Sequence, residues 1–126
     1  MLDAGDNAPV LDSASLDQLR ALDPQGSSGF VKRVLDTFLR SLQNQRDAVA
    51  AAHAAGDLRA LSHAAHALKS ASASVGALPL SRLCAALEEA VRLDQPERVP
   101  ALALKFDAAA VAADAAVRAL LEGGAA

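Results

Sequence analysis

Aromatic side chains are scarce in this sequence, which has three Phe and no Trp or Tyr among 126 residues. Nucleic-acid bases stack on aromatic rings, and the phosphate backbone binds to positively charged surfaces. The formal net charge is −3 at pH 7, so the sequence lacks both features. We therefore expect no nucleic-acid partner.

Cysteine and long hydrophobic runs are also rare. The single cysteine, Cys84, has no intramolecular disulfide partner and is expected to pack in a core in a reducing compartment. No apolar run approaches the ~20 residues that span a bilayer, and the start, MLDAGDNAPVLD, lacks the basic and hydrophobic parts of a signal peptide. We expect a cytoplasmic protein without direct membrane contact, or the cytoplasmic domain of a membrane-bound parent.

The residues that are present favour helices. Hydrophobic residues make up 52% of the chain, and most of them are Ala and Leu, which enter helices at little cost. Strand-favouring β-branched and aromatic residues are few. The sequence therefore predicts an all-α fold with a single domain over residues 13–122. Residues 1–12 are predicted to be a flexible tail that contributes nothing to the core, and residues 123–126 a C-terminal tail.

Five amphipathic helices are predicted from apolar residues that recur every three or four positions. The expected caps or first residues are, in chain order, Ser13 or Ser15, Ser27 or Ser28, Asp57, Pro79 and Glu97. Gly56 suits a tight turn between the second and third helices, which should then be antiparallel neighbours. The four longer helices are expected to form an antiparallel up-down-up-down bundle, with the short first helix covering one end.

The third predicted helix contains the segment LSHAAHALKSASASVGAL, residues 61–78. At about 100° per residue, His66 lies roughly 130° from the centre of the apolar stripe, so its side chain should face solvent or a partner. The other residues expected on this face are small or cationic: Arg59, Ser62, Lys69, Ser70 and Ala73.

This pattern is suited to phosphoryl chemistry. A histidine that attacks a phosphoryl group needs a neutral ring nitrogen with open space before it, and the unperturbed imidazole pKa of about 6.5 leaves the ring mostly neutral in cytoplasm. Lys69 could offset negative charge on the phosphoryl oxygens, while Ser62 and Ser70 could donate hydrogen bonds to them. No ATP-binding or Mg²⁺-binding motif accompanies these residues.

The segment HALKSASASVGA, residues 66–77, resembles the H-x-L-K-G/S-x-S/A-x-x-x-G-A signature of histidine phosphotransfer (HPt) domains, such as those that end hybrid sensor kinases. Residues 22–39, 55–66 and 80–92 are also similar to the corresponding HPt segments, so that the resemblance covers about Leu16 to Leu121. One departure is Ser70, where many members have Gly. The hydroxymethyl group is still small, so access to the histidine should be little reduced.

The resemblance implies that His66 is phosphorylated, that Lys69 stabilises the phosphohistidine and that Gly76 ends the active helix. It also implies that Nε2 of His66 accepts a phosphoryl group from the phospho-aspartate of a response-regulator receiver domain and passes it to a second receiver. Mg²⁺ would come from the receiver, so no cofactor is expected in this chain. Docking should be transient and should use the third helix, the adjacent face of the second, and the surface around His66: Arg59, Ser62, His63, Ser70 and Ala73.

Other interpretations remain open. The domain could be a scaffold that docks receivers without carrying phosphate, the phosphoacceptor domain of a chemotaxis-type kinase, or a module that serves its parent hybrid kinase in cis. No complete constellation of an independent enzyme is found. His63 could contact a partner or be an ordinary solvated residue. Although His63 and His66 form an H-x-x-H pair, Glu88 and Glu89 are expected to be isolated from it, so no metal site is predicted. A monomer is expected because no surplus apolar face is identified.

Overall fold

The computed structural model describes residues 9–123 of the chain. Residues 1–8 of the predicted N-terminal tail and residues 124–126 of the predicted C-terminal tail lie outside this range. The described part contains five α-helices and no strand, which confirms the all-α prediction. The helices are α1 (Ser13–Ala21), α2 (Phe30–Ala55), α3 (Leu58–Ser74), α4 (Leu78–Arg92) and α5 (Val99–Glu122), the last preceded by a 3₁₀ turn, Pro96–Arg98.

The four longer helices form a closed ring of neighbours. Helix α3 packs between α2 and α4, and α5 completes the ring by contacting both α4 and α2. Short connections make successive helices antiparallel, so the predicted up-down-up-down bundle with an additional N-terminal helix is confirmed. Helix α3 lies diagonally opposite α5, and α1 contacts α3.

The core is a single cluster to which all five helices contribute. Its largest fully buried side chains are aliphatic, with one aromatic ring: Leu35, Leu42, Leu61, Leu68, Leu80, Leu87 and Phe106. Burying one such side chain contributes about 1.5–3 kcal/mol. The inward stripe of α3 is therefore fixed by packing, and its opposite face is left to solvent. Within residues 9–123, no helix is both long and apolar enough to cross a membrane.

The connection between α2 and α3 is a tight turn. Gly56 ends α2 with φ of 69°, a left-handed conformation that glycine adopts without steric cost. The amide of Asp57 donates to the carbonyl of Ala52 at 2.9 Å, and the Asp57 side chain accepts from the amide of Ala60 at 3.0 Å. Gly56 and Asp57 thereby provide hydrogen-bond partners for a carbonyl at the end of α2 and an amide at the start of α3.

The first helix begins differently from the prediction. Asp12, and neither Ser13 nor Ser15, caps α1: its carboxylate accepts hydrogen bonds from the Ser15 amide at 2.9 Å and the Ser15 hydroxyl at 2.7 Å. Leu11 packs partly buried against the core cluster. The expectation that residues 1–12 contribute nothing to the core is therefore wrong for Leu11.

The start of α2 also differs from the prediction. Gly29, in a left-handed conformation, precedes the first helical residue, and neither Ser27 nor Ser28 caps the helix. The Ser28 hydroxyl instead donates to the Asp23 carboxylate at 2.7 Å. That carboxylate also accepts a hydrogen bond from the amide of Phe30 at 3.4 Å. Asp23 thus takes the place of a capping side chain, although it lies seven residues before Phe30 in the sequence.

The outward face of α5 carries apolar side chains that the helical pattern did not indicate. Leu104 is 76% exposed and Val111 is 48% exposed, and Ala101, Ala108 and Ala115 are exposed on the same helix. These side chains form an exposed apolar patch where none was expected, and the monomer stays a prediction. This face lies across the bundle from α3, because α3 and α5 are diagonal in the ring.

Candidate functional site

The outward face of α3 carries the predicted site residues. His66 stands clear of the bundle, with 69% of its side chain exposed. A shallow depression beside it combines four of the predicted residues with two from α4: Arg59, Ser62, His63, His66, Glu88 and Val91. Ser70 and Ala73 are exposed further along α3 and do not line this depression. The structure therefore groups the N-terminal half of the predicted docking surface with α4.

Burial of the opposite side of α3 orients this face. Leu61, Ala65 and Leu68 are fully buried, and a helix that buries this stripe must turn His66 outward. The backbone of α3 is also tied to α4, because the Ser81 hydroxyl donates to the carbonyl of Lys69 at 3.0 Å. The helix that carries His66 is thus held in place by its buried stripe and by a hydrogen bond to α4.

Glu88 of α4 contacts two of the predicted site residues on α3. Its Oε2 lies 2.8 Å from Nδ1 of His66, and its Oε1 lies 2.7 Å from Nζ of Lys69. The Lys69 contact is an ion pair without hydrogen-bond alignment. The expectation that Glu88 is isolated from the histidine pair is therefore wrong.

The Glu88 carboxylate is held in its charged form. Partial burial acts to raise its pKa, but the contacts with Lys69 and His66 together lower it more, so the pKa lies below the usual value of 4.5. Near neutral pH, Glu88 is therefore an anion that only accepts hydrogen bonds.

The two ring nitrogens of His66 have different surroundings. Nδ1 faces the Glu88 carboxylate, whereas no hydrogen bond to Nε2 is found among the described residues. Nε2 is therefore the ring nitrogen left open on the exposed side of α3. Lys69 lies one helical turn further on, and its side chain is about one-third exposed while its Nζ contacts Glu88.

The turn after α3 depends on Gly76. Its φ is 84°, and a Cβ placed there would lie 2.8 Å from the carbonyl oxygen of Asp12 and 3.0 Å from its amide nitrogen. Gly76 follows Ser74, the last residue of α3, and Val75, its C-cap. Its lack of a side chain allows the segment before α1 to pack against the end of the helix that carries His66.

Cys84 lies one turn before Glu88 on α4 and is fully buried. Burial, and then the nearby Glu88 charge, raise the pKa of the Cys84 thiol to about 12. The thiol is therefore uncharged and takes no part in chemistry at the surface. Among residues 9–123, no group of three or more His, Cys, Asp or Glu side chains is arranged to hold a metal ion.

Comparison with known proteins identifies the family. The family model described as Hpt domain matches residues 33–123, from early α2 to the end of α5. The crystal structure of histidine-containing phosphotransfer protein B (HptB) from Pseudomonas aeruginosa PAO1 is 31% identical in sequence, with a TM-score of 0.78. The match covers 88% of this chain and 93% of that chain. No curated protein sequence matches significantly. The chain therefore belongs to the Hpt domain family and is a histidine phosphotransfer domain of phosphorelay signalling.

Proposed function

We propose that His66 is the residue that carries the phosphoryl group and that its Nε2 is the atom phosphorylated. The supporting observation is the arrangement of the imidazole: it is exposed, with Nδ1 toward Glu88 and Nε2 open. In the proposed reaction, Nε2 attacks the phosphorus of a receiver phospho-aspartate. The bond from phosphorus to the aspartate oxygen breaks, and the reverse step delivers the group to a second receiver.

Lys69 is proposed to stabilise the phosphorylated state. Lys69 lies one helical turn from His66, and its side chain is about one-third exposed. A phosphoryl group on Nε2 carries negative charge that a nearby ammonium can offset by a charge-assisted hydrogen bond. Ser62 and Ser70, on the same side of α3, are available as further donors.

The Mg²⁺ ion that assists phosphoryl transfer is proposed to come from the receiver. Mg²⁺ prefers several oxygen ligands, usually carboxylates and water. The carboxylate beside His66, Glu88, already contacts Lys69 and Nδ1 of His66. This donor set does not suit a magnesium ion, so we propose that the chain needs no cofactor of its own.

Receivers are proposed to dock on the exposed face of α3 and the groove beside it. The α2–α3 groove has a volume of about 600 Å³ and is lined mainly by apolar side chains: Phe30, Val34, Phe38, Ala71 and Val75. Arg33 at this groove and Arg59 beside His66 add positive charge that suits the acidic surroundings of a receiver aspartate. Because a relay requires release, the complex should be short-lived and of modest area.

One copy of the chain is proposed to be sufficient for the reaction, since His66, Lys69 and Glu88 all belong to the same bundle. We also propose that the domain works in the cytoplasm, where receiver domains and a reducing environment for the free thiol of Cys84 are found.

The test is phosphoryl transfer from a receiver that has been phosphorylated with a small phosphodonor and Mg²⁺. The protein should acquire an acid-labile, base-stable label, and His66→Gln should abolish it. His53→Gln is the matched control, because His53 is exposed on α2 and lines a groove with α5, not the depression beside His66. Label that persists in His66→Gln would contradict the site. Binding of several receivers without any label would favour the alternative that the domain is a scaffold that docks receivers without carrying phosphate.

A further inference from the structure

His63 is the member of the H-x-x-H pair to which the proposed function gives no chemical role. It lies one helical turn before His66 on the outward face of α3, and its side chain is exposed. We propose that His63 binds a proton when His66 carries the phosphoryl group, and that the resulting imidazolium stabilises the phosphorylated state. The inference rests on the proposed phosphorylation of His66.

The two histidine rings share one depression on the surface. Both line it together with Glu88 from α4. Side chains three residues apart on a helix have Cβ atoms about 5–6 Å apart. His63 lies one turn before His66 and Lys69 one turn after it, so the two side chains flank a phosphoryl group on His66 from opposite ends along the helix axis.

The Lys69 ammonium does not offset the charge of the phosphoryl group by itself. Its Nζ lies 2.7 Å from Oε1 of Glu88, so these two charges largely balance each other before phosphorylation. A phosphoryl group adds about two negative charges near neutral pH, and a ring that keeps its proton toward Glu88 adds one positive charge, so the group as a whole reaches a net charge of about −1. A proton on His63 would bring the net charge back to zero.

The other groups beside His63 do not supply a proton-dependent charge on this side of His66. The charged or titratable residues that line the two depressions beside His63 are one arginine, one other histidine and two carboxylates: Arg59, His66, Asp57 and Glu88. From α2, the residues that line these depressions are Gln45 and Ala48, and neither side chain titrates. Arg59 lies two turns before His66 and is charged at every pH of interest. The part of the attraction that depends on pH therefore falls to His63.

Proton uptake by His63 would couple the transfer equilibrium to pH. An imidazole changes its charge between about pH 5 and 8. One net negative charge at about 6 Å in water favours the protonated form by about threefold. The proton comes from solvent, and the bond formed at His63 is a nitrogen–hydrogen bond alone. His66 should therefore hold the phosphoryl group more strongly at lower pH and give it up to a receiver more readily at higher pH.

The first test follows the His63 ring by NMR while the pH is varied, in the unphosphorylated domain and in the domain phosphorylated through a receiver. The titration midpoint of His63 should be about half a pH unit higher in the phosphorylated domain. His53 is the matched control, because it is exposed on α2 and does not line the depression beside His66. Its midpoint should not change. A His63 midpoint that stays the same or falls on phosphorylation would overturn the proposal.

The second test measures how the phosphoryl group is divided, at equilibrium, between one receiver and His66 at pH values from about 6 to about 8. As the pH falls, the ratio of His66-bound to receiver-bound phosphoryl should rise about threefold more in the wild type than in His63→Gln, whose amide takes up no proton. His63→Lys should keep this ratio high throughout, because an ammonium stays charged in this range. His53→Gln should match the wild type. The same receiver is used in every reaction, so its own response to pH cancels.

The outcomes separate this proposal from the function on which it rests. If His66→Gln abolishes the label but His63→Gln keeps the full pH dependence, the role of His63 is overturned and the phosphorylation site stands. If Arg59→Gln lowers the phosphoryl ratio and His63→Gln does not, Arg59 supplies the compensating charge and the proposal fails. If His66→Gln keeps the label, both fail. The NMR titration uses the unsubstituted chain, so misfolding of a variant cannot imitate its result.

Discussion

The amide nitrogen of Asp12 donates a hydrogen bond to the carbonyl oxygen of Gly76 at 2.7 Å. This bond joins the segment before α1 to the end of α3, two parts of the chain that lie more than 60 positions apart in the sequence. Asp12 caps α1 at the same time, so one residue both starts a helix and closes the end of the helix that carries His66. The fit leaves no room for a side chain at residue 76.

Gly76→Ala should therefore destabilise the fold. The substitution places a Cβ on a residue with φ of 84°, 2.8 Å from the Asp12 carbonyl oxygen. Left-handed strain and overpacking together should lower the free energy of unfolding by about 2–4 kcal/mol. Urea denaturation followed by circular dichroism measures this quantity.

Gly56→Ala is the matched control for that measurement. Gly56 has φ of 69°, but nothing lies within 4 Å of its added Cβ, so only the backbone strain remains, about 1 kcal/mol. Equal losses in the two variants would show that the close approach of Asp12 to Gly76 does not contribute.

The stability of the domain should fall in acid. The pKa values of Asp12 and Asp23 are lowered chiefly by side-chain hydrogen bonds from Ser15 and Ser28, and that of Asp107 by its hydrogen bond from Arg46. A carboxyl group with a depressed folded-state pKa contributes stability that is present above its unfolded value and lost as pH falls through the folded value. Stability should thus be maintained above pH 4.5 and decline from the ordinary aspartate pKa of 3.8 downward.

The decline in stability can be checked by measuring urea midpoints at several pH values. The range from about 7 down to about 2 spans the carboxyl titrations. Asp107→Asn should flatten the decline, because it removes the carboxylate that pairs with Arg46. A urea midpoint that rises as the pH falls below the aspartate pKa of 3.8 would contradict the assigned direction of the shifts.

Cys84 should be unreactive in the folded protein. Its side chain is fully buried and the pKa of the thiol is raised to about 12 from 9.0, which reduces the thiolate fraction about a thousandfold near pH 8. A thiol-specific disulfide reagent should label Cys84 quickly in denaturant and very slowly without it. Fast labelling of the native protein would show that α4 is not packed as described.

Much of the fold could be predicted from local patterns. The stripe containing Leu61, Ala65 and Leu68 is periodic enough to identify α3 and to place His66 outside the core. The tight turn at Gly56 then determines that α2 and α3 are antiparallel neighbours. These features depend on residues close in sequence, so they can be predicted without knowing how distant helices meet.

The position of Glu88 could not be predicted in the same way. Its contact with His66 spans 22 positions and depends on the register in which α4 packs against α3, which neither helix specifies alone. One available signal was that Glu88 lies four residues after the inward-facing Cys84, at the edge of the buried stripe of α4. The predicted capping residues were wrong for a related reason. The serines expected to cap α1 and α2 donate hydrogen bonds to the carboxylates of Asp12 and Asp23 instead.

Phosphorylation of His66 at Nε2 can be observed by ³¹P and ¹⁵N NMR of the phosphorylated domain. We expect coupling between phosphorus and Nε2 of the His66 ring, with a proton retained on Nδ1. A phosphoryl group on Nδ1 of His66, or on any other residue, would contradict it.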